Sequence, residues 1–223
     1  MMAHEQAAEQ RPFTVAVLIS GSGSNMQALL DDQTGYTVGL VLADRADAYG
    51  LQRGLAARVP TVCVPLLKPK DAAARARWEQ QIAGLLDVFD PDLIVMAGWM
   101  RVMSAAFIAR FAGRIINQHP ALLPDDAVDT YRLASGATIP AIRGAHAVRD
   151  ALRLGLPTTG CTIHWVTAEV DVGPVLARSE VPVLPGDDEA ALHERIKAHE
   201  RRMIVEVVRR LAGDERTKGE ART

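Results

Sequence analysis

The stretch FTVAVLISGSGSNMQALLDD, residues 13–32, decides the fold. An apolar, β-branched run without polar alternation reads as a strand buried on both faces, which belongs in a parallel sheet. It stops at Gly21 and Gly23, and a helical pattern follows, with Ser24 placed as a plausible N-cap. Strand, glycine turn and helix make the opening unit of an α/β domain.

The same alternation continues outward. Apolar strands are expected over 37–43, 60–66, 91–99 and 113–119. Helices are expected over 46–58 (Asp47 near its start), 71–89, 104–112 and 144–155, the last closed by Gly155. Two further strands, 160–166 and 173–183, have no helix between them and can pair antiparallel. Leu192, Ile196, Met203, Val207 and Leu211 form the stripe of a long last helix. The expected fold is therefore α/β: a Rossmann-like, mostly parallel sheet flanked by helices, with a mixed, antiparallel C-terminal part. One domain over 13–212 is expected, in halves meeting near 111–112, with loose polar tails at 1–12 and 213–223.

The chain has 223 residues, 48% hydrophobic and 23% charged, enough for a sizeable core. A net charge of −2 supplies no basic field for nucleic acid and no attraction to an acidic membrane surface. The N-terminus lacks the apolar core of a signal peptide, and no apolar run is long enough to span a bilayer. Cys63 and Cys161 are isolated in strand-like runs, which reads as buried thiols of a reducing, cytoplasmic compartment and not as a metal site.

In such folds ligands gather beyond the carboxyl ends of the strands. At the first of these ends, Gly23, Ser24 and Asn25 present backbone amides at a helix N-terminus, which favours an anion such as a monophosphate. The alternative is a tight turn that simply needed glycine. A dinucleotide site is disfavoured by Met26 where a small residue is wanted, although Asp44 lies at a plausible distance for a ribose. At the fifth strand end, in IINQHPALLP (115–124), Asn117 and His119 point to one side and Pro120 stiffens the exit. An amide donor and an imidazole suit a tetrahedral intermediate formed by an external nucleophile. Asp171, in the turn EVDVGP, is an acid placed to act on His119.

Taken together, VLISGSGSN, DRADAYGL, AGWMRVMS, NQHPALLP, GAHAVRDAL, GCTIHWV and EVDVGPV resemble the formyl-folate formyltransferases, and among them the phosphoribosylglycinamide formyltransferases of purine biosynthesis. The resemblance runs from about Val15 to Val208. It implies transfer of a formyl group from 10-formyltetrahydrofolate, a cosubstrate, to the amine of glycinamide ribonucleotide, with no metal. It implies Asn117, His119 and Asp171 as the catalytic residues, and Gly23, Ser24, Asn25, Lys197 and Glu200 at the substrate phosphate and ribose. Met100, Arg101, Val102, Met103 and Val166 would wall the folate pocket, with Thr162 and His164 as support behind it. The N-terminal half would hold the phosphate and the C-terminal half the folate and the chemistry. Small-molecule partners, no nucleic acid, no membrane, and a monomer or homodimer complete the expectation.

The pattern is broken at 125–143, DDAVDTYRLASGATIPAIR, an insertion beside the expected site that also puts Arg143 where the family usually has proline. It is expected to fold outward and leave the site open. Were it to fill the cleft, a non-catalytic ribose-phosphate binder would replace the enzyme. A formyltetrahydrofolate hydrolase, with water in place of the amine, is the other rival.

Overall fold

The computed structural model describes residues 11–220. The outer parts of both expected tails, 1–10 and 221–223, lie outside the described residues. Arg11, assigned to the first tail, pairs with Asp92 at 2.7 Å and so ties the chain down before its first strand.

The N-terminal half reads β1 (Phe13–Ile19), α1 (Ser24–Asp32), β2 (Tyr36–Ala43), α2 (Gly50–Ala56), β3 (Thr61–Cys63), α3 (Ala72–Phe89), β4 (Leu93–Met96) and α4 (Ala105–Arg110). The C-terminal half reads β5 (Ile115–His119), β6 (Thr130–Arg132), β7 (Thr138–Pro140), α5 (Ala147–Arg153), β8 (Thr158–Trp165), β9 (Val175–Pro182) and α6 (Glu189–Glu220). Seven strands form one sheet in the order β3-β2-β1-β4-β5-β8-β9. The first five are parallel, and β8 and β9 are antiparallel. The mixed sheet expected from the sequence is present, with β1 and β4 side by side at the point where the order reverses.

Strand periodicity explains the two-layered cover. Val15, Val17 and Ile19 of β1 point to one face, where they pack with Met26 and Leu29 of α1 and with Ile196, Ile204 and Val208 of α6. Ala16 and Leu18 point to the other, against Ile82 and Leu86 of α3 and Phe107 of α4. Trp78 of α3 stacks on Trp99, just past β4, at 5.8 Å between ring centroids and 8° between planes.

Several local expectations change. Ser24 is the first helical residue and not the cap; Gly23 occupies the cap position in a left-handed conformation, φ 68°, with no side-chain cap bond. Asp47 is taken by Arg45 at 2.6 Å, and α2 starts only at Gly50. β3 is three residues long: Pro60 before it has no N–H for the ladder, and Val64 N still donates to Ala43 O at 2.8 Å before Pro65 ends the pairing. α6 runs to Glu220, past the boundary expected at 212.

The insertion is a hairpin, not an irregular loop. β6 and β7 pair antiparallel as a separate small sheet. Leu133 and Ile139 form a small core with Leu122. Arg178 of β9 anchors the segment, donating to Leu123 O at 2.5 Å and Asp125 Oδ1 at 2.6 Å, while Ala134 N donates to Glu180 Oε1 at 2.7 Å.

Candidate functional site

The carboxyl ends of β1, β4 and β5 open into a cleft of about 410 Å³, closed on its sides by α6 and by the turn after β8. Residues 125–143 do not line it. The cleft brings together every residue expected at the formyl-transfer site except Thr162, and it leaves out Asp44, the residue weighed for a dinucleotide ribose.

At one end stands the glycine loop. A Cβ on Gly23 would lie 2.8 Å from Gly50 Cα, so close approach as well as positive φ requires glycine. Gly50 N donates to Gly21 O at 3.1 Å, and Arg53 Nε donates to Ser22 O at 2.9 Å, which braces the loop from α2. Asn25 is buried, and its Nδ2 donates to Glu200 Oε2 at 2.8 Å. Burial pushes the Glu200 carboxyl up, with Asn25 and Lys197 opposing. Asn25 Oδ1 and Gln118 Oε1 are buried without a partner. Lys197 is half-buried on the cleft side of α6, with Glu194 Oε2 at 3.7 Å. An ammonium, a helix N-terminus and unpaired acceptors therefore converge, a set that suits a phosphate joined to a hydroxylated sugar.

His193 and Glu189 also line this end. The sequence reading missed them. Their signal was spacing: 189, 193 and 197 recur every fourth residue, one stripe of a helix.

The middle wall follows β4. Met100 N donates to Ser20 Oγ at 2.9 Å, which joins the second strand end to the first. Arg101 Nε donates to the buried Asp44 Oδ2 at 2.5 Å, so Asp44 holds Arg101. Met100 and Val102 are exposed on the rim while Met103 is buried. Glu79 of α3 accepts from Ser104 N at 2.9 Å and from the Ser104 hydroxyl, and Arg75 donates to Val102 O at 2.7 Å. An apolar rim held by fixed backbone groups fits a flat heteroaromatic ring such as a pterin.

The catalytic candidates meet at the far end. The β5–β8 register sets Asn117 opposite His164 and His119 opposite Thr162. Asn117 Nδ2 lies 3.3 Å from His164 Nε2, leaving its second hydrogen for the cleft. His164 Nδ1 lies 2.9 Å from Trp165 O. A carbonyl only accepts, so Nδ1 carries the proton. His119 Nε2 lies 2.7 Å from Ile142 O and is protonated by the same reasoning. Asp171 reaches both rings, Oδ2 at 3.4 Å from His119 Nδ1 and Oδ1 at 3.5 Å from His164 Nε2. Its Oδ2 also accepts from Gly144 N at 2.8 Å.

Burial pulls His119 below its ordinary value, and the charge of Asp171 and the carbonyl of Ile142 oppose it. Burial would raise Asp171, but the His164 ring at 3.5 Å, the His119 ring and the Gly144 amide outweigh it and bring it down to about 2. Asp171 is ionised at neutral pH. Thr162 Oγ1 donates to Ala121 O at 2.8 Å and accepts from Leu123 N at 3.0 Å, fixing the turn that follows Pro120. Among the described residues no cluster of His, Cys, Asp and Glu is placed to hold a metal ion, and no helix is long and apolar enough to cross a membrane.

Residues 13–208 match the family described as formyl transferase. The chain is 41% identical over 201 residues to phosphoribosylglycinamide formyltransferase of Mycobacterium tuberculosis, covering 90% of this chain and 86% of that one. It is 35% identical to the Escherichia coli protein of the same name, over 84% and 82% of the two chains. Among solved structures, glycinamide ribonucleotide transformylase 1 from Symbiobacterium toebii superposes with a TM-score of 0.78 at 37% identity, covering 91% and 88%.

Proposed function

The chain belongs to the formyl transferase family, and from that premise we propose the reaction its cleft carries out. It transfers the formyl group of 10-formyltetrahydrofolate to the amine of glycinamide ribonucleotide, a step of purine biosynthesis. One observation supports this above the others: the glycine loop with Lys197 and the Asn117–His119–Asp171 group lie at opposite ends of one open cleft. A phosphate seated at the first end leaves its amine to reach the second.

The roles follow from the chemistry of each group. The amine nitrogen attacks the formyl carbon, and the carbonyl oxygen becomes an oxyanion. The free hydrogen of Asn117 Nδ2 stabilises it, and His119, whose ring burial keeps neutral at rest, takes up its proton against that pull as the negative charge develops beside it and Asp171. Asp171, ionised, keeps the imidazolium in place and serves the proton that leaves the amine. Collapse breaks the bond from the formyl carbon to the folate nitrogen, which takes up that proton. Gly23, Ser24, Asn25, Lys197 and Glu200 hold the ribonucleotide, and Met100, Arg101, Val102, Met103 and Val166 hold the pterin. His164 and Thr162 support Asn117 and the Pro120 turn. Two free thiols, Cys63 and Cys161, accord with a cytoplasmic setting. A monomer or homodimer suffices, since the cleft is built within one chain.

The test is loss of formyl-folate with and without glycinamide ribonucleotide. Amine-dependent turnover is expected, falling about 10²- to 10³-fold in Asn117→Ala and His119→Ala. Amine-independent turnover would point to the hydrolase. Binding of the ribonucleotide with no turnover would refute the enzyme.

A further inference from the structure

Ile142 and Arg143, which end the insertion, and Gly144, which follows it, each contact the catalytic group. Ile142 O meets His119 Nε2 at 2.7 Å. Gly144 N donates to Asp171 Oδ2 at 2.8 Å. Between them the Arg143 guanidinium spans two segments. Its Nε donates to Asp171 O at 3.4 Å, and its other nitrogens meet Val128 O at 2.8 Å and Asp129 Oδ1 at 3.4 Å.

Asp171 needs such a grip. Its φ is 56°, a left-handed conformation that side chains other than glycine adopt at a cost, and its neighbours Glu169 and Val170 are exposed. A turn of this kind keeps one geometry only when its surroundings enforce it. Arg143 is the side chain that fastens it to the hairpin. The hairpin in turn is held by Arg178 and by its own small core of Leu122, Leu133 and Ile139.

We propose that the 125–143 hairpin is a brace for the catalytic acid, and that Arg143 is a positioning residue which holds the Asp171 turn in register with His119. This rests on the function proposed above. It gives the insertion a task that needs no contact with either substrate, in keeping with its absence from the cleft wall.

The experiment compares the full-length parent with Arg143→Ala, Arg143→Gln and Arg143→Lys. Thermal melting checks folding, and Arg143→Gln, which keeps N–H donors without the charge, stands in should Arg143→Ala fail to fold. In Arg143→Ala, kcat should fall at least tenfold with KM for the ribonucleotide within threefold of the parent. Arg143→Gln should fall between the two, and Arg143→Lys should recover part of the loss.

The protonation of His119, followed by NMR of its imidazole, separates two ways for Arg143 to act. A loosened Asp171 withdraws its charge from His119, so protonation moves to lower pH in Arg143→Ala. An arginine acting only as a nearby positive charge would have the reverse effect. A shift to higher pH, a kcat within twofold of the parent, or a KM change with kcat intact would each overturn the proposal. The imidazole titration needs no turnover. A parent without amine-dependent activity would thus defeat the functional reading while leaving the brace separately decided.

Discussion

At the scale of single residues, the site holds charges that the fold must stabilise. Asp171 is ionised far below the usual carboxylate range because two imidazoles and an amide surround it. Its folded pKa lies below its unfolded one, so its stabilisation is present above about pH 4 and is lost as the pH falls toward about 2. The depression from 3.8 to about 2 corresponds to about 2 kcal/mol. Asp171→Asn, which tolerates the same left-handed backbone, should therefore be less stable than the parent by about that amount at neutral pH. Urea unfolding at about pH 7 and about pH 3 would show the gap narrowing with acid; an equal gap at both would contradict the assignment. Glu200 is the opposite case. Burial raises it, so its contribution is present below its unfolded pKa and declines as the pH rises through the folded one.

At the scale of elements, the sequence disclosed most of what hydrophobic period and punctuation can carry. Strand β1, the glycine turn and the stripe of α6 were legible because burial on a sheet face or helix stripe dictates residue type. So were Asn117 and His119, since period two puts them on one side of β5. The β6–β7 pair was not. Each strand has three residues, mostly exposed, and the alternation of Tyr131, Leu133 and Ile139 is too short to stand out. Nor did Asp171, expected beside His119, announce its left-handed φ or its second partner His164, which depend on a register set by distant strands. Gly23 is the element-level test. Its alanine variant would need both positive φ and a Cβ 2.8 Å from Gly50 Cα, so Gly23→Ala should lose at least about 1 kcal/mol of stability and weaken ribonucleotide binding. Denaturant titration and KM read the two effects; a variant as stable as the parent would show that α1 and α2 shift apart freely.

At the scale of the whole molecule, α6 holds the fold together. It packs Ile196, Met203, Ile204, Val207, Val208 and Ala212 against the face that β1 and α1 share, and it also presents Lys197 and Glu200 to the cleft. Among the described side chains of α6, the last one buried in the core is Ala212. A chain truncated after Asp214 should melt within a few degrees of the parent. A chain truncated after Arg202 loses Met203, Ile204, Val207 and Val208 and should not fold, because removing several buried aliphatic side chains at about 2–3 kcal/mol each exceeds the stability of most domains. Circular dichroism melts of the two truncations would decide the matter.

The stacked Trp78–Trp99 pair has a practical consequence. Two indoles in near-parallel contact inside a rigid layer couple their transitions, and asymmetric packing of aromatic rings is what near-ultraviolet circular dichroism detects. Trp99 lies on the same segment as Met100, on the rim that the pterin would touch. The protein thus carries an unlabelled optical gauge: occupancy of one half of the cleft is readable from its own spectrum, without any dye and without any turnover.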